Sequence, residues 1–157
     1  MKTRVNVMRK IFALLLFLII IVSIGIIYYG QFEKSNANTL TEDKMIAKES
    51  DDFILHVQMN GVEEGIEVLH SIQYNGQKKV EIQHQSPLIS VSFFEHDHDF
   101  TGSYVQKEMV IGDIYHPQKA TVLSAPNRDT FNLYIQAKFE VDGEVQVINH
   151  VEELEFE

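Results

Sequence analysis

The hydrophobic and polar positions of this 157-residue chain follow two different patterns. Residues 11–29, IFALLLFLIIIVSIGIIYY, form one apolar run without a charge. At about 1.5 Å per residue, a helix of this length spans about 28 Å, close to the thickness of the hydrocarbon layer of a bilayer. From residue 53 onward, apolar and polar residues alternate instead, which is typical of half-buried β-strands. The two patterns predict one transmembrane helix followed by a β domain.

The alternating region, residues 53–157, predicts seven or eight short strands. Asn75-Gly76 and Asp142-Gly143 each separate two apolar alternations, and both dipeptides tolerate the positive φ angles of a two-residue hairpin turn. Such regularly spaced turns favour an all-β fold, an immunoglobulin-like antiparallel β-sandwich, with a small barrel as the alternative. The predicted strands cover residues 53–59, 66–74, 79–84, 88–94, 104–111, 119–123, 131–141 and 144–151.

The segments around the apolar run predict the topology. Residues 1–10 contain four Lys and Arg and no acid, so the positive-inside rule places them in the cytoplasm and the C-terminal domain outside the cell. Residues 30–52 are polar and predict a linker, in which a short helix over 40–48 is an alternative. Cleavage of a secretory signal near Ala37, which would release the domain, is the competing interpretation of the apolar run.

The amino-acid composition excludes several kinds of chemistry and of partner for the part of the chain after residue 30. The chain has no cysteine, which excludes disulfides, a lipid-modified cysteine and a cysteine nucleophile. All 23 acids follow residue 30, against nine Lys and Arg, which gives this part a net charge of −14. Such a surface repels nucleic acid and anionic lipid and attracts cations or a basic partner.

One stretch carries candidate metal ligands: residues 93–100, FFEHDHDF. If the strand continues through it, His96 and His98 point to one face and Asp97 and Asp99 to the other. Imidazoles suit zinc or copper, and a carboxylate can complete or orient the site. The alternative is a solvated turn without metal. A tight site needs a further ligand from elsewhere, and the candidates by residue type are His84 and His116.

The remaining histidines and aromatics carry two further expectations. Neighbouring acids favour the imidazolium form, so we expect raised histidine pKa values, with His56 and His70 on solvated strand faces. The adjacent Phe93 and Phe94 face opposite sides of a strand. We expect one of them in the core and the other at the surface, where it would suit a protein contact.

Two segments together resemble the immunoglobulin-like domains of the BsuPI type. These are YNGQKKVEIQHQSPLISVSFF and FNLYIQAKFEV, the latter with an aromatic-x-x-small pattern from Tyr134 to Ala137. Residues 127–129, Asn-Arg-Asp, stand where such domains commonly have a Pro-Gly turn. A basic N-terminus, one anchor and a Cys-free domain are also similar to small extracytoplasmic proteins of Gram-positive bacteria. The resemblance covers about residues 53–157 and implies a fold, and by analogy the inhibition of an extracytoplasmic protease.

The chain contains no G-x-S-x-G, HExxH, P-loop, GxGxxG or EF-hand motif, so we expect no enzyme activity. The sequence predicts a membrane-anchored extracytoplasmic binding module with a protein partner at the cell surface, no nucleic-acid partner and no cofactor. The alternatives are an envelope protein that binds zinc or copper through the EHDHD turn, and the protease inhibitor.

Overall fold

The computed structural model describes residues 21–22, 38–63 and 65–157. Ile21 and Val22 are helical. The rest of the predicted anchor lies outside the described residues, as do the basic residues 1–10 and the predicted cleavage point near Ala37. Within the described ranges, no helix is long and apolar enough to cross a membrane.

The part of the chain from residue 38 onward forms antiparallel β-structure, which confirms the predicted all-β fold. Its described residues contain ten strands, two more than the upper number predicted, because two short or polar strands lack a clear apolar alternation. The strands are β1 (Lys44–Ser50), β2 (Phe53–Val62), β3 (Gly65–Tyr74), β4 (Val80–Gln85), β5 (Ile89–Ser92), β6 (Tyr104–Met109), β7 (Ile114–Tyr115), β8 (Thr121–Ser124), β9 (Thr130–Val141) and β10 (Glu144–Glu155).

These strands form two five-stranded sheets. In the first, β1, β2 and β3 lie side by side, and β7 and β8 pair with successive parts of the other edge of β3. In the second, β10 pairs with β9, and the other edge of β9 pairs with both β4 and β5, while β6 pairs with β4. Strand β10 therefore forms an outer edge of the second sheet.

The inward-facing residues of both sheets form one hydrophobic core, as in a β-sandwich. Strands β3 and β9 each contribute every second side chain, so the period-two pattern of the sequence marks the buried faces. Burial of one such side chain contributes roughly 1.5–3 kcal/mol to stability. Fully buried side chains from these two strands include those of Ile66, Ile72, Tyr74, Leu133 and Ile135.

The structure corrects the later part of the predicted linker at residues 30–52, of which residues 30–37 lie outside the described residues. Lys44–Ser50 is not a linker or a helix but the edge strand β1, paired with β2 from Lys44↔Met59 to Ser50↔Phe53. Backbone hydrogen bonds rather than burial define this strand, because most of its side chains are exposed, Met45 at 75%. A strand with mostly exposed side chains has the same polar composition as a linker, so composition alone does not distinguish the two.

The two predicted hairpin turns have different outcomes. Asp142 and Gly143 have φ angles of 52° and 82° and connect β9 to β10, with Glu144 paired to Val141. This is the predicted two-residue turn, with positive φ at both positions. Asn75-Gly76 is not a hairpin, because the chain leaves the first sheet after β3 and joins the second sheet at β4. The Tyr74 hydroxyl spans this crossing and donates a 2.6 Å hydrogen bond to the Lys78 carbonyl.

Candidate functional site

The FFEHDHDF stretch leaves the second sheet at the end of β5. The Ser92 hydroxyl accepts a 3.0 Å hydrogen bond from the Phe94 amide, and the Asp97 amide donates to the Phe94 carbonyl at 3.2 Å. A serine side chain that bonds to the backbone two residues later offers an alternative to the ladder, so the strand ends at this point. The alternation that predicted one shared face for the two histidines therefore does not continue.

The two histidines of the stretch have different surroundings. His96 is exposed, whereas His98 is half-buried and its Nδ1 lies 3.0 Å from the Ser90 hydroxyl oxygen. Burial lowers the pKa of His98 from its ordinary value of 6.5, although the Asp97 carboxylate acts in the opposite direction. The predicted rise in pKa is thus wrong for His98, because desolvation outweighs the neighbouring acid.

The carboxylates and the other candidate ligands do not gather around this pair. Asp97 and Asp99 are exposed, and an Asp97 oxygen lies 3.5 Å from the Ser92 hydroxyl. His84 is buried, with its Nε2 3.2 Å from the Tyr115 hydroxyl, while His116 lines a separate cleft. Among the described residues, no group of three or more His, Asp or Glu is arranged to hold a metal ion. Metal binding by the EHDHD turn stays a prediction.

The stretch instead forms one wall of an open groove of about 630 Å³, here called the aromatic groove. Phe93 packs inward, its ring edge-on to Phe131 at a centroid distance of 5.3 Å. Phe94 points the other way and is 67% exposed, which confirms the predicted division of the two phenylalanines. The groove is lined by Phe93, Phe94, Glu95, His96, Asp97, Arg128, Thr130, Phe131, Asn132, Tyr134 and Glu153.

Charge is unevenly distributed around the aromatic groove. Its lining contains three carboxylates and one guanidinium, that of Arg128. This guanidinium lies 5.7 Å from the centroid of the Phe131 ring, within cation–π distance. Phenylalanine faces beside a surplus of acids suit a ligand that brings apolar and basic groups together.

The prediction that His70 lies on a solvated strand face is wrong, because His70 is buried in the first sheet. This side chain is only 5% exposed, since it shares the inward parity of Val68 and Ile72 on β3. The Gln118 amide nitrogen lies 3.4 Å from His70 Nε2, and His70 Nδ1 has no hydrogen-bond partner among the described residues. Burial lowers the pKa of His70 from its ordinary value of 6.5, and the nearby His116 also lowers it.

The side chain of Gln118 connects the surroundings of His70 to the second sheet. Its amide oxygen accepts hydrogen bonds from the Leu88 and Ile89 amides at 3.2 and 3.4 Å. Its amide nitrogen donates to the Ile89 carbonyl at 2.6 Å. A cleft of about 260 Å³ lies outside this contact, with His56, His70 and His116 among its lining residues.

Comparison with protein-family models, with curated proteins and with solved structures yields no match. The fold and site define the class of the molecule as an all-β, two-sheet domain with an aromatic groove at one end of the second sheet. The resemblance to BsuPI-type domains stays a prediction of the sequence.

Proposed function

We propose that this protein is a membrane-anchored extracytoplasmic binding module without enzyme activity, and that the aromatic groove is its contact surface. The domain is of immunoglobulin-like type, and its partner is a protein at the cell surface. It requires no cofactor. The apolar run at 11–29 and the basic residues before it support the anchor and its orientation.

The observation that carries this proposal is the exposure of Phe94 at the rim of the groove. The Phe94 side chain is 67% exposed, so most of its apolar surface stays in contact with water. Burial of this surface against a partner would be favourable. The backbone amide of Phe94 donates a hydrogen bond to the Ser92 hydroxyl, which ties this residue to the end of β5. Aromatic side chains are enriched among the residues that carry most of the binding energy of protein interfaces.

The surroundings of Phe94 support a specific kind of ligand. Phe93, Phe131 and Tyr134 extend the aromatic surface, and Glu95 and Glu153 add negative charge. A segment with an aromatic or aliphatic side chain next to a lysine or arginine would bury its apolar part on the rings and pair its charge with the carboxylates. The net charge of −14 after residue 30 would also speed the encounter with a basic partner.

Selection from a displayed library of random peptides tests the proposal. The full-length chain, kept in a mild detergent, would be the bait, and enriched peptides would be titrated against the wild type, Phe94→Ala and Val122→Ala. Val122 is 58% exposed on β8 of the other sheet, which makes it a matched control for loss of a surface side chain. We expect peptides that combine apolar and basic residues, with affinity reduced about tenfold or more by Phe94→Ala alone. Peptides that bind Phe94→Ala as tightly as the wild type would contradict the groove as the contact surface, and so would the absence of any enriched peptide.

A further inference from the structure

Along most of its length, strand β10 presents a backbone edge to which no other described residue bonds. Glu144 and Val141 flank the two-residue turn, so this pair exchanges both of its backbone hydrogen bonds. From Glu144 onward, successive residues of β10 direct their backbone N–H and C=O groups alternately toward β9 and away from it. The even-numbered residues of β10 therefore bond to β9, and the odd-numbered residues direct their N–H and C=O groups away from it.

The far end of the same edge shows that it accepts a strand. The Glu155 carbonyl accepts hydrogen bonds from both the amide and the hydroxyl of Thr41, each at 2.9 Å. Thr39 and Glu157 exchange two backbone bonds of 2.8 and 2.9 Å. The residues before β1 thus add a short extended segment to β10 at its C-terminal end. Lys44 completes this cover by donating to the Glu153 carbonyl.

The cover stops before the middle of the strand. No hydrogen bond from the described residues reaches the outward backbone groups of Val145, Val147, Asn149 or Val151. This stretch contains no proline, no lysine and no bulge, the devices with which sheet edges are usually protected. The three valines are also 44–60% exposed and form a row on the outer face of the sheet.

Charge indicates what kind of strand would pair here. Strand β10 carries four glutamates and no lysine or arginine. Glu144 lies at one end of the bare stretch and Glu153 at the other, where Glu153 also lines the aromatic groove. A strand of alternating apolar and basic residues would place its apolar side chains beside the valines and its charges on the opposite face, the face of Glu144. A second copy of this chain would bring the same glutamates and the same negative charge.

We infer that the β10 edge between Glu144 and Val151 binds an extended, basic segment of a protein partner by strand addition. The inference rests on the proposed binding function and names its mode. The added strand runs along β10 as far as Val151, because Lys44 and the residues before it cover the edge from Glu153 onward. The segment beyond that point leaves the edge and reaches the aromatic groove over the outer face of the sheet, where Glu153 lines the groove. Backbone hydrogen bonds supply the affinity on the edge, and the groove supplies selectivity for the side chains.

The test uses a short synthetic peptide of alternating valine and lysine, without aromatic residues, and the full-length chain in a mild detergent. Binding would be followed by fluorescence anisotropy of the labelled peptide, with hydrogen–deuterium exchange of residues 144–151 as a second readout. Val147→Pro removes an outward N–H and leaves the β9 bonds in place, since proline is tolerated on an edge strand. Val147→Thr keeps the N–H and is the matched control.

We expect saturable binding to the wild type and to Val147→Thr, a loss of about tenfold or more in Val147→Pro, and slower exchange in residues 144–151. A peptide N-methylated at alternate positions should lose binding to the unmodified protein, which tests the edge without any change to its folding. Val122→Ala, on β8 of the first sheet, should bind this peptide as the wild type does, because Val122 belongs neither to the β10 edge nor to the aromatic groove.

Equal binding by Val147→Pro and by the N-methylated peptide would overturn strand addition, while peptides dependent on Phe94 would still leave the groove in place. Conversely, edge binding without any peptide dependent on Phe94 would keep the inference and overturn the groove. A dimer in sedimentation that dissociates in Val147→Pro would assign the edge to a second copy and overturn the basic partner.

Discussion

The side-chain amide of Gln118 lies 2.6 Å from the Ile89 carbonyl oxygen and joins the loop after β7 to the first residue of β5. Together with its bonds to the Leu88 and Ile89 amides, this one side chain satisfies backbone groups of the opposite sheet. We expect Gln118→Ala to reduce the free energy of unfolding by about 2 kcal/mol, because it leaves buried backbone groups without partners. Urea denaturation measures this, and Gln106→Ala on the exposed face of β6 should change stability by no more than about 0.5 kcal/mol.

The buried His70 imidazole predicts a fall in stability in mild acid. Its pKa is lowered in the folded state, so the unfolded chain takes up a proton first as the pH falls. The stability is therefore complete above the ordinary value of 6.5 and declines below it, until the folded-state pKa is also passed. We expect denaturation midpoints to decrease from about pH 8 to about pH 5, and His70→Leu to flatten this slope. His96→Leu, on an exposed position, should retain it, and an equal slope in both variants would refute the role of His70.

At Gly65, the backbone of β3 lies so close to the backbone of β8 that there is no space for a side chain. Its φ is 142°, and a Cβ at this position would overlap the Leu123 carbonyl oxygen and lie 2.6 Å from the Ala125 amide nitrogen. We expect Gly65→Ala to cost about 2–4 kcal/mol, since both groups belong to the backbone and cannot rotate away. Gly61→Ala is the control, because its Cβ would meet Leu40 at an ordinary 3.4 Å. Similar thermal midpoints for the two variants would show that the β8 segment yields to the added methyl group.

Lys44 and Glu152 connect β1 of the first sheet to β10 of the second, with 2.9 Å between ammonium and carboxylate. Although burial alone would raise it, the pKa of Glu152 is lowered by its hydrogen bonds to Lys44 and His150. The stabilisation is then present above the ordinary value of 4.5 and is lost as the pH falls through the folded-state value. A double-mutant cycle with Lys44→Met and Glu152→Gln should give a coupling of about 0.5–1 kcal/mol at neutral pH. Coupling that persists unchanged in strong acid would exclude an ionic origin.

The arrangement of the EHDHD turn, residues 95–99, predicts weak binding of zinc. Since His98 contacts Ser90 and His96 faces the groove, we expect zinc to bind weakly and to raise the thermal midpoint little. His96→Ala/His98→Ala should bind zinc with an affinity within about twofold of the wild type. Calorimetry and thermal unfolding of the full-length chain measure this. Saturable one-to-one binding that disappears in the double variant would instead establish the EHDHD metal site.

Local signals in the sequence predict the parts of the fold that local chemistry determines. The Asp142-Gly143 turn forms where predicted, because positive φ at two adjacent residues suffices to reverse the chain. Asn75-Gly76 has the same signal but a different outcome, since β4 pairs with β9 and β6 rather than with β3. That choice depends on strands far along the chain, which a dipeptide does not encode.

The candidate site shows the same limit. The predicted division between Phe93 and Phe94 is confirmed, although β5 ends at Ser92 and both residues lie just beyond the strand. The strand geometry that predicted a shared face for His96 and His98 does not extend to them, because Ser92 ends the strand first. The aromatic groove joins residues 93–97 to 128–134 and to Glu153, so tertiary packing decides its composition. The burial of His70 was within reach of the sequence, because its parity on β3 is that of the core residues.

The two bonds between Thr39 and Glu157 have a consequence for rearranging the chain. Because these residues are direct neighbours on one ladder, a short glycine linker would join residue 157 to residue 38 without crossing the domain. The polypeptide of the domain would then be a closed ring, and new ends opened at the exposed Asp142-Gly143 turn would leave every strand intact. In such a circular permutant, β9 and β10 would become the last and the first strands of the chain.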